Sequence, residues 1–207
     1  MRPKVQQYAL LLLDWNRSIN LTGAQTLEEV EALIDDAGAL IEASWAGIYT
    51  VIDIGSGGGL PAIPLAVAMP NVQFTLLEAN ARKCAFLEHV AGTLGLRNVA
   101  VAPGRAEELG HRPALREQYD RAISRAAARP EVLLELALPF VRTGGELVAQ
   151  VSPLDPLLLE PAARLLGGGT PRLEHPTGHA LMVVPKLAPT PARFPRRPGL
   201  PGRKPLA

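Results

Sequence analysis

Apolar residues recur along the first fifty positions with the spacing of helix faces. Val5, Leu10, Leu11, Leu12, Trp15 and Ile19 predict an amphipathic helix over Val5 to Ile19. A second is predicted from Leu27 to Ala43. It opens on Thr26 with Glu29 three residues later, the spacing of a capping box. From Tyr49 the rhythm changes. Short β-branched runs (YTVIDI, VQFTLLE, VAVA, YDRAIS, GELVAQV) alternate with helical stretches (LPAIPLAVA, ARKCAFLEHVAGTL, EVLLELALPF, PLLLEPAARLL). That alternation predicts repeated βαβ units, hence a Rossmann-like α/β fold with helices on both faces of a mostly parallel sheet. Ligands of such sheets bind beyond the carboxyl ends of the strands, where the strand order reverses. The runs RLEHP and HALMVVPK, joined by Thr177 and Gly178, predict an antiparallel C-terminal hairpin at the sheet's edge. No internal repeat is present, and Gly167 to Gly169 reads as a local turn.

Composition adds bounds to this pattern. The chain has 207 residues, 47% hydrophobic and 20% charged, which suits one main soluble domain with a small appendage. No apolar run approaches the roughly 18 residues needed to span a bilayer, and MRPKVQQYALLLLDWN has no small-residue cleavage site, so a cytoplasmic protein without membrane partners is expected. The single cysteine, Cys84, excludes an internal disulfide and a cysteine-based zinc site; it sits on the expected buried face of a helix, and no metal is expected.

The formal charge of +1 conceals an asymmetry. Beyond Glu174 there are six bases and no acid, leaving 15 bases against 20 acids in residues 1–174. The expected organisation is an N-terminal helical segment (1–46), a cofactor-binding domain (47–187) and a basic, proline-rich arm (188–207). Its end, RFPRRPGLPGRKPLA, is expected to run extended, with no helix and no edge to pair. Arg193, Arg196, Arg197, Arg203 and Lys204 are candidates for contacts to nucleic-acid phosphates, the alternative being a solvated tail.

Candidate chemistry concentrates after the first strand. Asp53, Ile54, Gly55, Ser56, Gly57, Gly58 and Gly59 lead from strand to helix, where glycines let the backbone approach a ligand closely. The second strand ends in Glu78, 23 residues after Gly55, placed to accept hydrogen bonds from the ribose hydroxyls of an adenosine. Leu60 and Pro61 occupy the helix start, and no Walker-type lysine is present, which disfavours NAD and ATP. S-adenosylmethionine, cationic at sulfur and without phosphate, suits a glycine turn beside Asp53 and Glu78 better. Two further motifs fall at strand tips. In GRAEEL, Ala106 can offer backbone contacts to an adenine edge, and Glu107 can hold a neighbour. In SRAAARP, Arg125 is placed to face the methyl-donating end. Each also has a plain structural reading: Glu107 as a helix-start acid, with Arg125 paired to it.

Taken together, WNRSINLT, DIGSGGGLPAIPLA, FLEHVAGTLGLRNV, GRAEEL, SRA, GGELVA and FPRRPGLPGRKPL resemble the ribosomal RNA small subunit methyltransferase G family, also called the glucose-inhibited division protein B family. The resemblance runs through nearly the whole chain. It implies a seven-stranded class I S-adenosylmethionine-dependent methyltransferase fold, and methyl transfer to N7 of a guanine in the 530 loop of 16S rRNA. It implies cofactor contacts at Gly55, Leu60, Ala106, Glu107 and Arg125, to which the glycine loop adds Gly57 and Gly59 and the strand-tip argument adds Glu78. Guanine N7 is a bare lone pair, so positioning rather than a general base is expected to carry the reaction, with Arg125 the one candidate for a catalytic part. The guanine becomes positively charged, so a nearby acid or carbonyl would stabilise it. The small ribosomal subunit is the implied partner and a monomer the default.

The chain also departs from the family pattern. Ile34, Ala37 and Gly38 stand where relatives carry a His and an Asp-Ser pair, Val151 and Ser152 where they carry Lys-Gly, and Ala62 where they carry glycine. The N-terminus is shorter by about one helix. These changes keep open a weakly active or non-catalytic rRNA-binding module, or a methyltransferase of another RNA.

Overall fold

The computed structural model describes residues 2–38, 40, 44–125, 127–152, 154–175 and 180–206, with the side chain of Arg2 outside that description. Helix α1 (Arg2–Asn16) ends where Asn16 turns its carboxamide onto the following backbone. Its Oδ1 accepts from the N–H of Leu21 (2.9 Å) and Thr22 (3.0 Å), and its Nδ2 donates to the Ala24 carbonyl (2.9 Å). Helix α2 (Leu27–Ala37) has the expected capping box of Thr26 and Glu29. Its expected continuation through 41–43 lies outside the described residues.

Strands β1 (Thr50–Ile54), β2 (Gln73–Glu78), β3 (Val99–Pro103), β4 (Tyr119–Arg125) and β5 (Val141–Gln150) alternate with α3 (Ala62–Ala68), α4 (Ala81–Thr93), α5 (Ala106–Leu109) and α6 (Pro130–Ala137). A 3₁₀ turn at Pro156–Leu159 leads into α7 (Glu160–Leu165), followed by β6 (Arg172–Glu174) and β7 (Leu181–Pro185). The seven strands form one sheet in the order β3-β2-β1-β4-β5-β7-β6. The first five run parallel, while β7 pairs antiparallel with both β5 and β6, so the expected hairpin closes one edge. Its turn at Thr177 and Gly178 lies outside the described residues. The order reverses between β1 and β4, which fixes the crevice at their carboxyl ends.

Each face of the sheet is covered by one apolar core. On one, Tyr8 and Leu12 of α1 and Val30 of α2 pack with Phe74, Leu76 and Phe86. On the other, α6 and α7 pack on the sheet through Leu133, Leu134 and Ala163, joined by Phe194 from the arm. Cys84 is buried on α4, as its position in the pattern predicts. Among the described residues, no helix is long and apolar enough to cross a membrane.

The arm departs from expectation. It is not an extended free segment: Gly199 takes a left-handed φ of 78° and starts a one-turn helix, α8 (Leu200–Arg203), with Pro201 in its first turn, where no N–H is missed. Arg116 clamps it, donating to the carbonyls of Gly110 (2.7 Å), Thr190 (2.6 Å) and Phe194 (2.9 Å). Backbone that cannot join a sheet has its carbonyls satisfied by an arginine instead.

Candidate functional site

The loop after β1 is fastened to β2 before it meets any ligand. Gly55 and Ser56 donate their N–H groups to the Leu77 carbonyl (2.9 and 3.0 Å), and Gly57 N–H donates to Glu78 Oε2 (2.9 Å). Glu78 Oε1 accepts from the N–H of Asn80 (2.7 Å). The acid at the tip of β2 thus fixes the loop, while each of its oxygens keeps a lone pair for a further donor. From the other side, Tyr8 of α1 donates its hydroxyl to the Gly58 carbonyl at 2.6 Å.

These elements enclose a cavity of ≈ 470 Å³ that brings together Gly55, Gly57, Leu60, Glu78 and Arg125. Leu12, Leu21 and Thr22 supply a wall that the helix patterns did not reveal. Their signal was WNRSINLT, whose Asn16 holds the Leu21–Thr22 turn in place. At Gly57 (φ 54°) an added Cβ would meet nothing closer than the Gly55 carbonyl at 3.8 Å, so this part of the loop is open to the cavity. Gly59 is different. Its φ is 88° and a Cβ there would lie 2.6 Å from Ile63 Cγ1, so it is needed for packing against α3 and is not part of the cavity lining.

Asp53, in β1 just before the loop, does not line the cavity; it is buried with 1% exposure, and neither carboxylate oxygen has a hydrogen-bond partner among the described residues. The Ser56 hydroxyl goes to the Asp53 backbone carbonyl (3.1 Å). Burial pushes the Asp53 carboxyl up to about 7, with Ser56 opposing and the Glu78 charge adding to the rise. A buried acid without a partner is costly unless something cationic or hydrogen-bonding completes it. With the open glycine backbone, this fits S-adenosylmethionine, whose ammonium and sulfonium are cationic and whose ribose can donate to Glu78.

The remaining expected contacts do not line the cavity. Ala106 is buried at the start of α5. Glu107 Oε1 accepts from Arg105 Nη2 (2.8 Å) and from the N–H of Gly199 (2.9 Å), so its carboxylate holds the arm. Burial alone would raise its pKa, but these donors prevail and hold the carboxyl below its usual range. Arg125 does not pair with Glu107. Its Nε and Nη2 donate to Asp36 Oδ2 (3.0 and 2.6 Å), and Gln150 Nε2 donates to Asp36 Oδ1 (3.1 Å). Asp36 was missed in the sequence although it adjoins Ala37. Ile34 and Ala37, the departures on this helix, are core residues. Val151 is half-buried and Ser152 exposed.

Of the five basic candidates on the arm, Arg193, Arg197, Arg203 and Lys204 are exposed. Arg196 is not available in the same way. Its guanidinium and backbone N–H all donate to Glu135 (2.6 to 3.0 Å), a carboxylate with 1% side-chain exposure. Lys186, counted in the basic excess, is also out of solvent. Its Nζ donates to the Leu138 carbonyl and to Thr190 Oγ1, both at 2.6 Å, and burial pulls its pKa down to about 8.

The family described as rRNA small subunit methyltransferase G matches residues 1–151. Two relatives named Ribosomal RNA small subunit methyltransferase G are similar along almost the whole chain. That of Deinococcus deserti is 39% identical over 218 aligned positions, covering 99% of this chain and 89% of the relative. That of Moorella thermoacetica is 38% identical, covering 98% and 89%. Among solved structures, M. jannaschii TYW2 in complex with AdoMet superposes with a TM-score of 0.55 at 17% identity, over 81% of this chain and 77% of that one. PigF with SAH gives 0.58 at 18% identity, over 89% and 70%. At these identities the structural likeness is one of fold, the Rossmann-like fold of class I methyltransferases.

Proposed function

The chain belongs to the rRNA small subunit methyltransferase G family, and we propose that it transfers the methyl group of S-adenosylmethionine to N7 of a guanine in the 530 loop of 16S rRNA. It is an S-adenosylmethionine-dependent rRNA methyltransferase. The observation that carries the reading is the cavity that sets the open Gly57 backbone against the acid Glu78, with the buried, unpartnered Asp53 leading into the loop, a set of groups complementary to a cationic nucleoside.

When bound, the cofactor supplies an electrophilic methyl group on sulfur. Everything else falls to this chain's residues. Glu78 accepts from the ribose while its bonds to Gly57 and Asn80 keep it from rotating, and the Gly55–Gly57 backbone allows close approach. Asp53 offsets cationic charge. Leu60 and Arg125 close the cavity's sides. Because N7 has no proton, no general base is needed; alignment of acceptor and methyl carbon lowers the barrier. Arg193, Arg197, Arg203 and Lys204 contact RNA phosphates. The protein acts as a cytoplasmic monomer with the small subunit as its partner.

Incubation with methyl-labelled cofactor and unmodified 30S subunits or 16S rRNA tests this. Label at N7 of one guanine, located by reductive strand cleavage at 7-methylguanosine, is the expected result. Folded, cofactor-binding protein that labels neither substrate refutes it.

A further inference from the structure

Asp36 stands in the last turn of α2, where an acid meets the negative end of the helix dipole and no base shares the turn. Its counter-charge comes from the sheet. Arg125 and Gln150 are register partners at the tips of β4 and β5, and both reach this one carboxylate. Arg125 Nε and Nη2 donate to Oδ2 (3.0 and 2.6 Å) and Gln150 Nε2 donates to Oδ1 (3.1 Å), so the guanidinium is held in one plane. The ion pair is partly buried, with side-chain exposures of 19% for Arg125 and 29% for Asp36, and salt screens it less than a surface pair. Asp35 beside it is exposed.

Arg125 also lines the cofactor cavity, to which α2 adds Leu33, one turn before Asp36. The chain leaving β4 lies against the glycine loop, since a Cβ added at Gly55 would fall 2.7 Å from Ala127 Cβ. The field of the guanidinium reaches that loop. Burial raises the pKa of the Tyr8 hydroxyl, which donates to Gly58, and Asp53 adds to the rise, while Arg125 opposes both. A cation in this wall matters for the cofactor. S-adenosylmethionine brings a positively charged sulfur into the cavity, whereas its demethylated product, S-adenosylhomocysteine, has a neutral sulfur and the same nucleoside and amino-acid ends. An unopposed arginine would therefore favour product over cofactor. We propose that Asp36 is a specificity-determining residue: by pairing with Arg125 it cancels the guanidinium's charge at the cavity wall, so that the site does not prefer the neutral product to the cationic cofactor. The proposal rests on the S-adenosylmethionine reading above. It gives α2 a part in cofactor selection that its sequence pattern, a capped amphipathic helix, does not announce.

The ratio of Kd for S-adenosylmethionine to Kd for S-adenosylhomocysteine, measured by calorimetry, isolates the effect, because damage to the fold weakens both ligands alike. Asp36→Asn keeps the shape of the side chain and removes its charge, and should raise the ratio by about fivefold or more. Arg125→Gln should lower it. The double variant Asp36→Asn with Arg125→Gln, neutral at both positions, should bring the ratio back to within about twofold of that of the unaltered protein. Asp36→Glu restores the charge and should restore the ratio, and Asp35→Asn, which changes the same charge on the exposed neighbour, should not move it. Equal losses of both ligands in Asp36→Asn, no loss of either, or the same change of ratio in Asp35→Asn would overturn the proposal while the cofactor reading stands. An unaltered protein that binds neither ligand overturns both.

Discussion

Asp53→Asn isolates the most unusual electrostatic feature of the site. The native carboxyl titrates near pH 7 against an ordinary value of 3.8, a difference caused first by burial. The folded chain therefore holds this proton more tightly than the unfolded chain does. The stabilising contribution of the protonated acid is full below pH 3.8 and is lost as pH rises through 7. At 1.36 kcal/mol per unit the whole effect is about 4 kcal/mol, of which about 2 kcal/mol falls between pH 5 and 7. Asparagine has no proton to lose.

Urea unfolding of both proteins without cofactor, at half-unit steps from pH 5 to 8, gives the comparison. The stability difference between them should move in favour of Asp53→Asn by about 2 kcal/mol as pH rises from 5 to 7, then level off above it. Glu107 and Asp120, whose carboxyls are held below their usual range, lose their contributions only at more acid pH and cancel in the difference. Near pH 7, S-adenosylmethionine binding should release protons from the unaltered protein and fewer from Asp53→Asn, read by calorimetry in buffers of unlike ionisation enthalpy. Parallel stability curves across this range would refute the argument, since a carboxylate stabilised by some other partner would titrate below the window.

Three other substitutions probe separate parts of the molecule. Glu78→Ala removes the ribose acceptor and the anchor of Gly57, and should weaken S-adenosylmethionine binding by about 1 to 3 kcal/mol in a calorimetric titration. Arg196→Ala leaves Glu135 buried without its cation and should cost about 3 kcal/mol in urea unfolding, whereas an exposed arginine would cost almost nothing. Replacing Arg197, Arg203 and Lys204 together by alanine should leave unfolding unchanged. It should also flatten the plot of log affinity for 16S rRNA against log salt by about 2 to 3 in slope, measured by filter binding.

What the sequence discloses here is mostly what is local. The capping box at Thr26, the βαβ alternation and the spacing from Gly55 to Glu78 are set by near neighbours along the chain, and the structure contains all three. Asp36 and Arg125 are 89 residues apart, and nothing in LIDDAGALI distinguishes the acid that faces the site from the Asp35 beside it. Gly57 and Gly59 are equivalent in sequence. Only the packing shows that one opens to the cavity while the other avoids a collision with Ile63. Asp53 could be seen as an acid near the loop, but its lack of a partner depends on which groups the fold fails to bring to it.

The arm shows the same limit from the other direction. Proline content removes helix and sheet as regular options, and from that alone an extended tail is a sound expectation. The binding groups lie elsewhere: Arg116, Glu135 and Glu107 come from parts of the chain 60 to 90 residues earlier, and each meets the arm with a charged group. One cation, Arg196, is consumed in that fastening, and four stay exposed. Deleting residues 193–207 would therefore remove Phe194 from the core and Arg196 from Glu135 together with every exposed cation of the arm. A loss of RNA affinity after such a truncation would not separate recognition from a damaged fold. The triple substitution at Arg197, Arg203 and Lys204 does separate them, because it changes the charge presented to RNA while leaving every bond that fastens the arm through a side chain in place.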